Sequence, residues 1–383
     1  MLKLKTIMGL GMLGVLGTIL LALAACGGDD KGGEDQYTFR YANISGMHHT
    51  QSWRDTVAPW ASAVEAATAG RVKTEAFHGG SLCNTAEMVD CLSNGLADGG
   101  MTLKAFFPDR FPLHQFSGVT DPEIGPRLTG EQEAKVGRIL YDEIEELRND
   151  LEGQNIMNLF NIASFGLHFN TTVPIATLED LEGLRIRTFG AYMPKAIEAA
   201  GGVATSLPAV EVFDALSRGL VDGALTNPLT FRDQGFYEAG ATHVSLLGDL
   251  EHGISLPMSA GIALDVNLDW WKSLDNQAQC AVLHASKVQE FKFAEFTAGD
   301  NAQAIQVGVD KHGVKVINLP DAELKKWAAK VPDLFGIAAE AMNAHGPGTK
   351  IVNRYLELTQ ASDSEINQLW ETAWDNRFTR WSC

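Results

Sequence analysis

Arg185 and Arg187 stand two residues apart in Leu184-Arg185-Ile186-Arg187-Thr188, where basic and apolar side chains alternate. On a strand this spacing sets Leu184, Ile186 and Thr188 on one face and both arginines on the other. A guanidinium grips a carboxylate through two parallel hydrogen bonds, a geometry that a lysine cannot copy. The strand alone is equally compatible with carboxylate recognition and with a structural salt bridge. The five cysteines (Cys26, Cys83, Cys91, Cys280 and Cys383) include no CxxC, so redox and zinc roles have little support. Among ten histidines, His48-His49 is the one adjacent pair, and neighbours on a strand or loop point apart. No HExxH, GxSxG, P-loop or EF-hand string occurs. Gly9-Leu10-Gly11-Met12-Leu13-Gly14 satisfies GxGxxG by chance, inside an apolar leader with no βα unit behind it. Trp270-Trp271 reads as core packing at a helix start. No metal, cofactor or catalytic set is implied, and an enzyme is not expected.

The elements that would carry these residues alternate between strand and helix, the mark of an α/β fold. Tyr37 to Asn43 reads as a strand, about Gln51 to Thr68 as a helix and Arg71 to Phe77 as a second strand. Asn84 and Glu87 resemble a capping box opening a helix that ends at Gly95. A charged helix is expected from Gly130 to Asn149. The pattern then restarts: strand material over Ile156 to Phe169, a strand at Leu184 to Thr188 and a helix from Tyr192 to Ala200. A helix from Pro208 to Gly219 and a strand from Leu220 to Leu225 follow. From Trp270 to about Lys311 few residues break a helix, and one that long crosses more than one lobe. No low-complexity segment and no convincing internal repeat is evident.

The amino terminus sets the expected compartment. Lys3 and Lys5 precede an apolar run from Ile7 to about Leu23, the layout of a secretory signal peptide. Leu23-Ala24-Ala25-Cys26 is a lipobox pattern, in which Cys26 is acylated after cleavage; a retained membrane anchor is the alternative. Gly27 to Asp35 then reads as a solvated tether. The formal charge of −18, with no basic patch, excludes a nucleic-acid partner and favours solubility. Once Cys26 is set aside, the four remaining cysteines fit disulfides in an oxidising compartment. Three pairings are open; locality favours Cys83–Cys91, leaving Cys280 with Cys383, and four free thiols are the alternative.

The densest motif is Leu178-Glu179-Asp180-Leu181-Glu182-Gly183-Leu184-Arg185-Ile186-Arg187. Ala199-Ala200-Gly201-Gly202, Glu211-Val212-Phe213-Asp214-Ala215-Leu216 and Gly219-Leu220-Val221-Asp222-Gly223 follow it. Together these resemble the solute receptors of the tripartite ATP-independent periplasmic (TRAP) transporters, of the dicarboxylate-receptor (DctP) type. Thr68-Ala69-Gly70-Arg71-Val72, Gly80-Ser81-Leu82, Asn94-Gly95-Leu96-Ala97-Asp98 and Phe111-Pro112-Leu113 extend the resemblance over most of residues 37 to 345. In that family the final Arg of the motif holds the ligand carboxylate, which implies this role for Arg187 and a solvent-facing Arg185. An Asn-Pro shortly after the Val-Asp-Gly implies that Asn227 contacts the carboxylate, one residue later than usual, with Thr226 as the alternative. Asn43 matches another polar pocket position. Some members carry a second Arg where this chain has Leu167-His168-Phe169, so His168 enters the pocket set. Leu103-Lys104-Ala105-Phe106-Phe107 lines the first-lobe side. These substitutions point to a less polar ligand with one carboxylate.

The resemblance implies a two-lobed α/β periplasmic solute-binding fold with a hinge and a long lobe-spanning helix. Expected boundaries are 1–25 for the signal peptide, 26–36 for the tether, and 37–160 with 252–296 for lobe I. Residues 161–251 with 297–383 form lobe II and the lobe-spanning C-terminal helices. The implied function is capture of a small organic carboxylate for a TRAP permease, by a periplasmic protein held to a membrane through its N-terminal lipid. A ligand-sensing lipoprotein for a signalling partner and a periplasmic enzyme on the same fold are the rivals.

Overall fold

Alternation of Tyr37, Phe39 and Tyr41 against Thr38 and Arg40 gives a strand that buries Phe39 and Tyr41 and exposes Thr38. The computed structural model describes residues 36–44, 53–162, 166–248, 253–257 and 261–383, and of residues 293–299 the backbone alone. The signal peptide, Cys26, the tether up to residue 35 and His48-His49 lie outside the described residues. The chain opens with β1 (Tyr37–Ala42), α1 (Val57–Ala67), β2 (Val72–Phe77), α2 (Met88–Ser93) and β3 (Gly99–Leu103). Next come α3 (Gly130–Glu143), α4 (Glu145–Glu152) and β4 (Ile156–Asn161). A second run holds β5 (His168–Thr171), β6 (Arg185–Thr188), α5 (Met193–Ala199) and β7 (Val203–Ser206). It continues through α6 (Val212–Ser217), β8 (Gly223–Thr226), α7 (Pro228–Asp233) and β9 (His243–Leu247). After these come β10 (Ile262–Asn267), α8 (Leu268–Ser273), α9 (Asn276–His312), β11 (Lys315–Leu319) and α10 (Asp321–Ala328). The last helices are α11 (Leu334–Met342), α12 (Gly348–Leu358) and α13 (Asp363–Arg380).

Two sheets define two lobes. The first has the order β2-β1-β3-β10-β4 and the second β11-β9-β5-β8-β6-β7. Within each sheet one strand runs against the rest: β10 in the first, β5 in the second. The carboxyl ends of the parallel strands and the amino end of the reversed strand therefore share one edge, where open α/β sheets bind ligands. The chain crosses between lobes after β4 and returns after β9. Where it does so, Leu167 and Ile254 pair as an antiparallel bridge, with N–O distances of 3.0 and 3.3 Å.

The 37 residues of α9 form a third connection, about 55 Å long at the usual rise per residue. Asp275 Oδ1 caps its start by accepting from Ala278 N at 2.8 Å, and Gly313 in the left-handed conformation ends it. Its first half belongs to lobe I. Trp60 Nε1 donates to Ser286 Oγ at 3.0 Å, and the Glu290 carboxylate accepts from Asn161 N, Trp370 Nε1 and Trp374 Nε1 at 2.8, 3.0 and 2.8 Å. Its second half belongs to lobe II, where Leu229 N donates to Asn301 Oδ1 at 3.2 Å.

Several sequence expectations need correction. The charged helix is not continuous to Asn149: Ile144 leaves the helical region (φ −116°, ψ 99°), which lets both Ile144 and Leu147 be buried. Asn84 caps a turn through Ala86 N and Glu87 N, and the helix begins only at Met88. The C-terminal helices divide differently from the expected 297–383 block. β11 pairs with β9 of the second sheet, but α12 and α13 pack on α3 of the first lobe, and α11 on the turn Pro112–Gly118 beside it. Disulfides join Cys83 to Cys91 and Cys280 to Cys383, the second tying the C-terminus to α9.

An internal repeat is present after all. Glu87-Met88-Val89-Asp90-Cys91-Leu92-Ser93-Asn94-Gly95-Leu96-Ala97-Asp98-Gly99 and Glu211-Val212-Phe213-Asp214-Ala215-Leu216-Ser217-Arg218-Gly219-Leu220-Val221-Asp222-Gly223 build the same helix–turn–strand unit. Gly95 and Gly219 take φ of 68° and 63°, and Leu96 N and Leu220 N reach back to the carbonyls of Cys91 and Ala215 at 2.9 and 2.8 Å. Arg40 of β1 meets Asp98 through Nε at 2.8 Å and Nη2 at 2.7 Å, and its Nη2 also reaches the Gly95 carbonyl. Arg185 of β6 meets Asp222 at 2.9 and 2.7 Å, and its Nη1 reaches the Gly219 carbonyl. Register then equates Ala42, opposite Gly100, with Arg187, opposite Ala224.

Candidate functional site

β6 puts Arg187 close to the carboxyl edge of the second sheet. Strand parity leaves Arg185 and Arg187 on one side, but their surroundings differ. Arg185 is half-exposed and paired with Asp222. Arg187 is 3% exposed. Its Nε donates to the Leu207 carbonyl at 2.9 Å, and its guanidinium carbon lies 4.9 Å from the centre of the Phe189 ring. Among the described residues no carboxylate pairs with it. Burial pushes its pKa down to about 10, so it stays charged at neutral pH. One edge is held by Leu207 and one face by Phe189, which leaves the two terminal nitrogens as donors.

The neighbouring strands bring three more expected residues to the same edge. His168 opens β5 and is the register partner of Thr226, the last residue of β8. His168 Nδ1 accepts from Leu247 N at 3.0 Å, which fixes the proton on Nε2 and ties β5 to the end of β9. Asn227 is the N-cap of α7: its Oδ1 accepts from Thr230 N at 2.9 Å and Thr230 Oγ1 at 3.0 Å, so what it can offer a ligand is its amide N–H. From lobe I, Phe106 reaches the Phe189 ring, with centroids 5.5 Å apart. Tyr192, at the start of α5, also borders lobe I, 3.9 Å from where a Cβ on Gly118 would stand.

The other expected residues are placed elsewhere. Asn43 sits at the corresponding edge of the first sheet, and its Nδ2 donates to His78 Nδ1 at 2.9 Å. Lys104 is fully buried inside lobe I, where Nζ donates to Asp265 Oδ2 at 2.6 Å, Thr102 Oγ1 at 3.0 Å and the Gly261 carbonyl at 3.3 Å. Burial pushes its ammonium down, though Asp265 opposes this. Sequence reasoning missed Phe189, Leu207 and Tyr192. Phe189 was within reach, because two residues beyond Arg187 is the same side of an extended chain. Leu207 was not, since its contribution is a backbone carbonyl.

This arrangement is a buried cation at the edge of one sheet, covered by Phe189 of its own lobe, which in turn meets Phe106 of the other. A family model described as DctP, bacterial extracellular solute-binding protein, family 7, matches residues 45–337. The chain belongs to that family. A solute-binding protein of Chromohalobacter salexigens is 29% identical over 189 residues, a match spanning 48% of this chain and 53% of that protein. Two solved structures share the fold. One, from a marine metagenome, is a TRAP solute-binding protein described as specific for aromatic acids, with 3-hydroxybenzoate bound. Its TM-score is 0.76 at 18% identity, covering 86% of this chain and 100% of the other. The second is a TRAP periplasmic solute-binding protein from Chromohalobacter salexigens with bound D-glucuronate. Its TM-score is 0.68 at 21% identity, covering 84% and 99%. Proteins of this family are extracellular solute-binding proteins, and the two-lobed α/β fold of this chain is that of the two solved structures.

Proposed function

We propose that this family 7 protein is an extracellular receptor that holds a small organic carboxylate between its lobes and delivers it to a TRAP-type permease in the membrane. The observation that carries this reading is Arg187, a 3% exposed guanidinium with no acidic partner among the described residues. A charge removed from water without a partner costs several kcal/mol, and an incoming carboxylate offsets that cost while accepting two parallel hydrogen bonds. The Thr226 hydroxyl and the Asn227 amide stand at the same sheet edge to take part. The acids named for the two similar structures, 3-hydroxybenzoate and D-glucuronate, are chemically diverse but each carries one carboxylate. That common group is the one Arg187 suits. A ligand touching both lobes favours the closed form by its differential contacts, and closure is the signal to the permease.

Calorimetry on wild type, Arg187→Ala and Arg187→Lys with a panel of mono- and dicarboxylates tests the anchor. Arg187→Ala is expected to weaken carboxylate binding by about 2–5 kcal/mol, and Arg187→Lys to recover only part. Full affinity in Arg187→Ala removes the assignment. The proposal includes a lipid anchor at Cys26, supported by the Leu23-Ala24-Ala25-Cys26 pattern. Cys26→Ala should accumulate as unprocessed, unlipidated protein, and recovery of lipid-modified mature protein from that variant rejects the anchor.

A further inference from the structure

The internal repeat states what each lobe offers the ligand, position by position. Ala42 stands in the first sheet where Arg187 stands in the second. Counting on from Gly99 and Gly223, Thr102 answers Thr226 and Leu103 answers Asn227. The second lobe therefore presents a cation and an amide, whereas the first presents a methyl and an isobutyl group. Lys104 does not restore a charge to the first lobe: it is fully buried, and its ammonium is already held by Asp265, Thr102 and the Gly261 carbonyl. With Lys104 turned inward, Phe106, two residues on, is a lobe I side chain that meets Phe189 beside Arg187. The two rings share one small apolar wall drawn from both lobes, with Phe189 also covering a guanidinium face.

We infer that lobe I sets specificity for the non-carboxylate end of the ligand, which is apolar and ring-shaped, and that Phe106, Phe189 and Leu103 are the specificity-determining residues. The inference rests on Arg187 holding the carboxylate. A second carboxylate would meet Leu103 and Ala42 without a cation, and a buried charge with no partner is strongly disfavoured. A sugar acid would bury hydroxyl groups against Ala42 and Leu103, whose side chains offer no hydrogen bond, while Asn43 at that edge is already engaged with His78. An aromatic body instead gains ring contacts with Phe106 and Phe189.

Calorimetry with benzoate, lactate, glucuronate and succinate tests this. Wild type is expected to bind benzoate about tenfold or more tighter than succinate or glucuronate. Phe106→Ala and Phe189→Leu should each lower the benzoate-to-lactate affinity ratio by about threefold to tenfold, the scale of one aromatic pair. Leu103→Arg, at a partly exposed position, should raise succinate affinity by supplying the missing cation. The inference fails if succinate or glucuronate binds wild type more tightly than benzoate, or if benzoate does not bind. It also fails if both ring variants keep the wild-type ratio. Arg187→Ala separates the two levels: undiminished affinity for every acid there removes the carboxylate anchor itself, whatever the ring variants do.

Discussion

Arg187 carries a cost that the folded chain bears for its ligand. Its side chain is enclosed, its charge is disfavoured by burial, and its described contacts are one carbonyl and one ring. Removing an uncompensated buried charge and keeping its volume should stabilise the ligand-free protein. Arg187→Met is therefore expected to raise apo stability by about 1–3 kcal/mol in urea denaturation, while abolishing carboxylate binding. A loss of apo stability would show that the Phe189 and Leu207 contacts outweigh desolvation, and the site would then be structural. Residues of this kind were partly legible in the sequence. Strand alternation and the surrounding motif singled out Arg187, but its different fate from Arg185 depends on Asp222, which reaches β6 only after the chain has folded back. Asn227 was visible as a polar residue before Pro228; its service as a helix cap, which commits its oxygen, follows from α7 beginning at that proline.

At the scale of elements, alternation and glycine placement located most strands and helices, because their signals are local. The repeat escaped notice because its shared residues are interleaved with Met, Val, Cys, Asn and Ala in one copy and Val, Phe, Ala, Arg and Val in the other. What identifies it is the paired Arg–Asp clamps, in each of which an Arg on β1 or β6 meets an Asp just before β3 or β8. The long helix was legible from its lack of breakers, and its anchoring was not. Asp275 caps α9 and also pairs with Arg71 at the start of β2, and these contacts hold its carboxyl at about 2, well below the usual range. A folded-state pKa below the unfolded one stabilises the protein above the unfolded value, near pH 3.9, and this contribution is lost as pH falls toward 2. Asp275→Ala should cost about 1 kcal/mol at pH 7 from the lost cap. The gap to wild type should close between pH 4 and pH 2, read as converging urea midpoints. A gap that persists unchanged at pH 2 would assign Asp275 an uncharged packing role.

For the whole molecule, the question is whether three connections permit the lobes to move. Two are the crossings that pair through Leu167 and Ile254, and the third is α9, fixed to lobe I through Ser286 and Glu290 and to lobe II through Asn301. Crossings that share one antiparallel bridge can change φ and ψ at few residues without breaking either sheet, which is the usual design of a hinge. Close approach of the crossings depends on Gly253, where a Cβ would lie 2.5 Å from Gly166 Cα and 2.9 Å from His168 Cε1. The sequence showed two α/β runs but not which C-terminal helices join which lobe, because Trp370 and Trp374 find Glu290 only in three dimensions. With α12 and α13 on lobe I, the second lobe is the lighter body and the natural one to swing. Saturating carboxylate is therefore expected to lower the radius of gyration in small-angle scattering. Gly253→Val, which forces the crossings apart beside His168, should reduce both that compaction and ligand affinity. An unchanged scattering curve for wild type at saturation would mean that ligand enters a cleft already closed, and that Phe106 and Phe189 meet whether or not the site is filled.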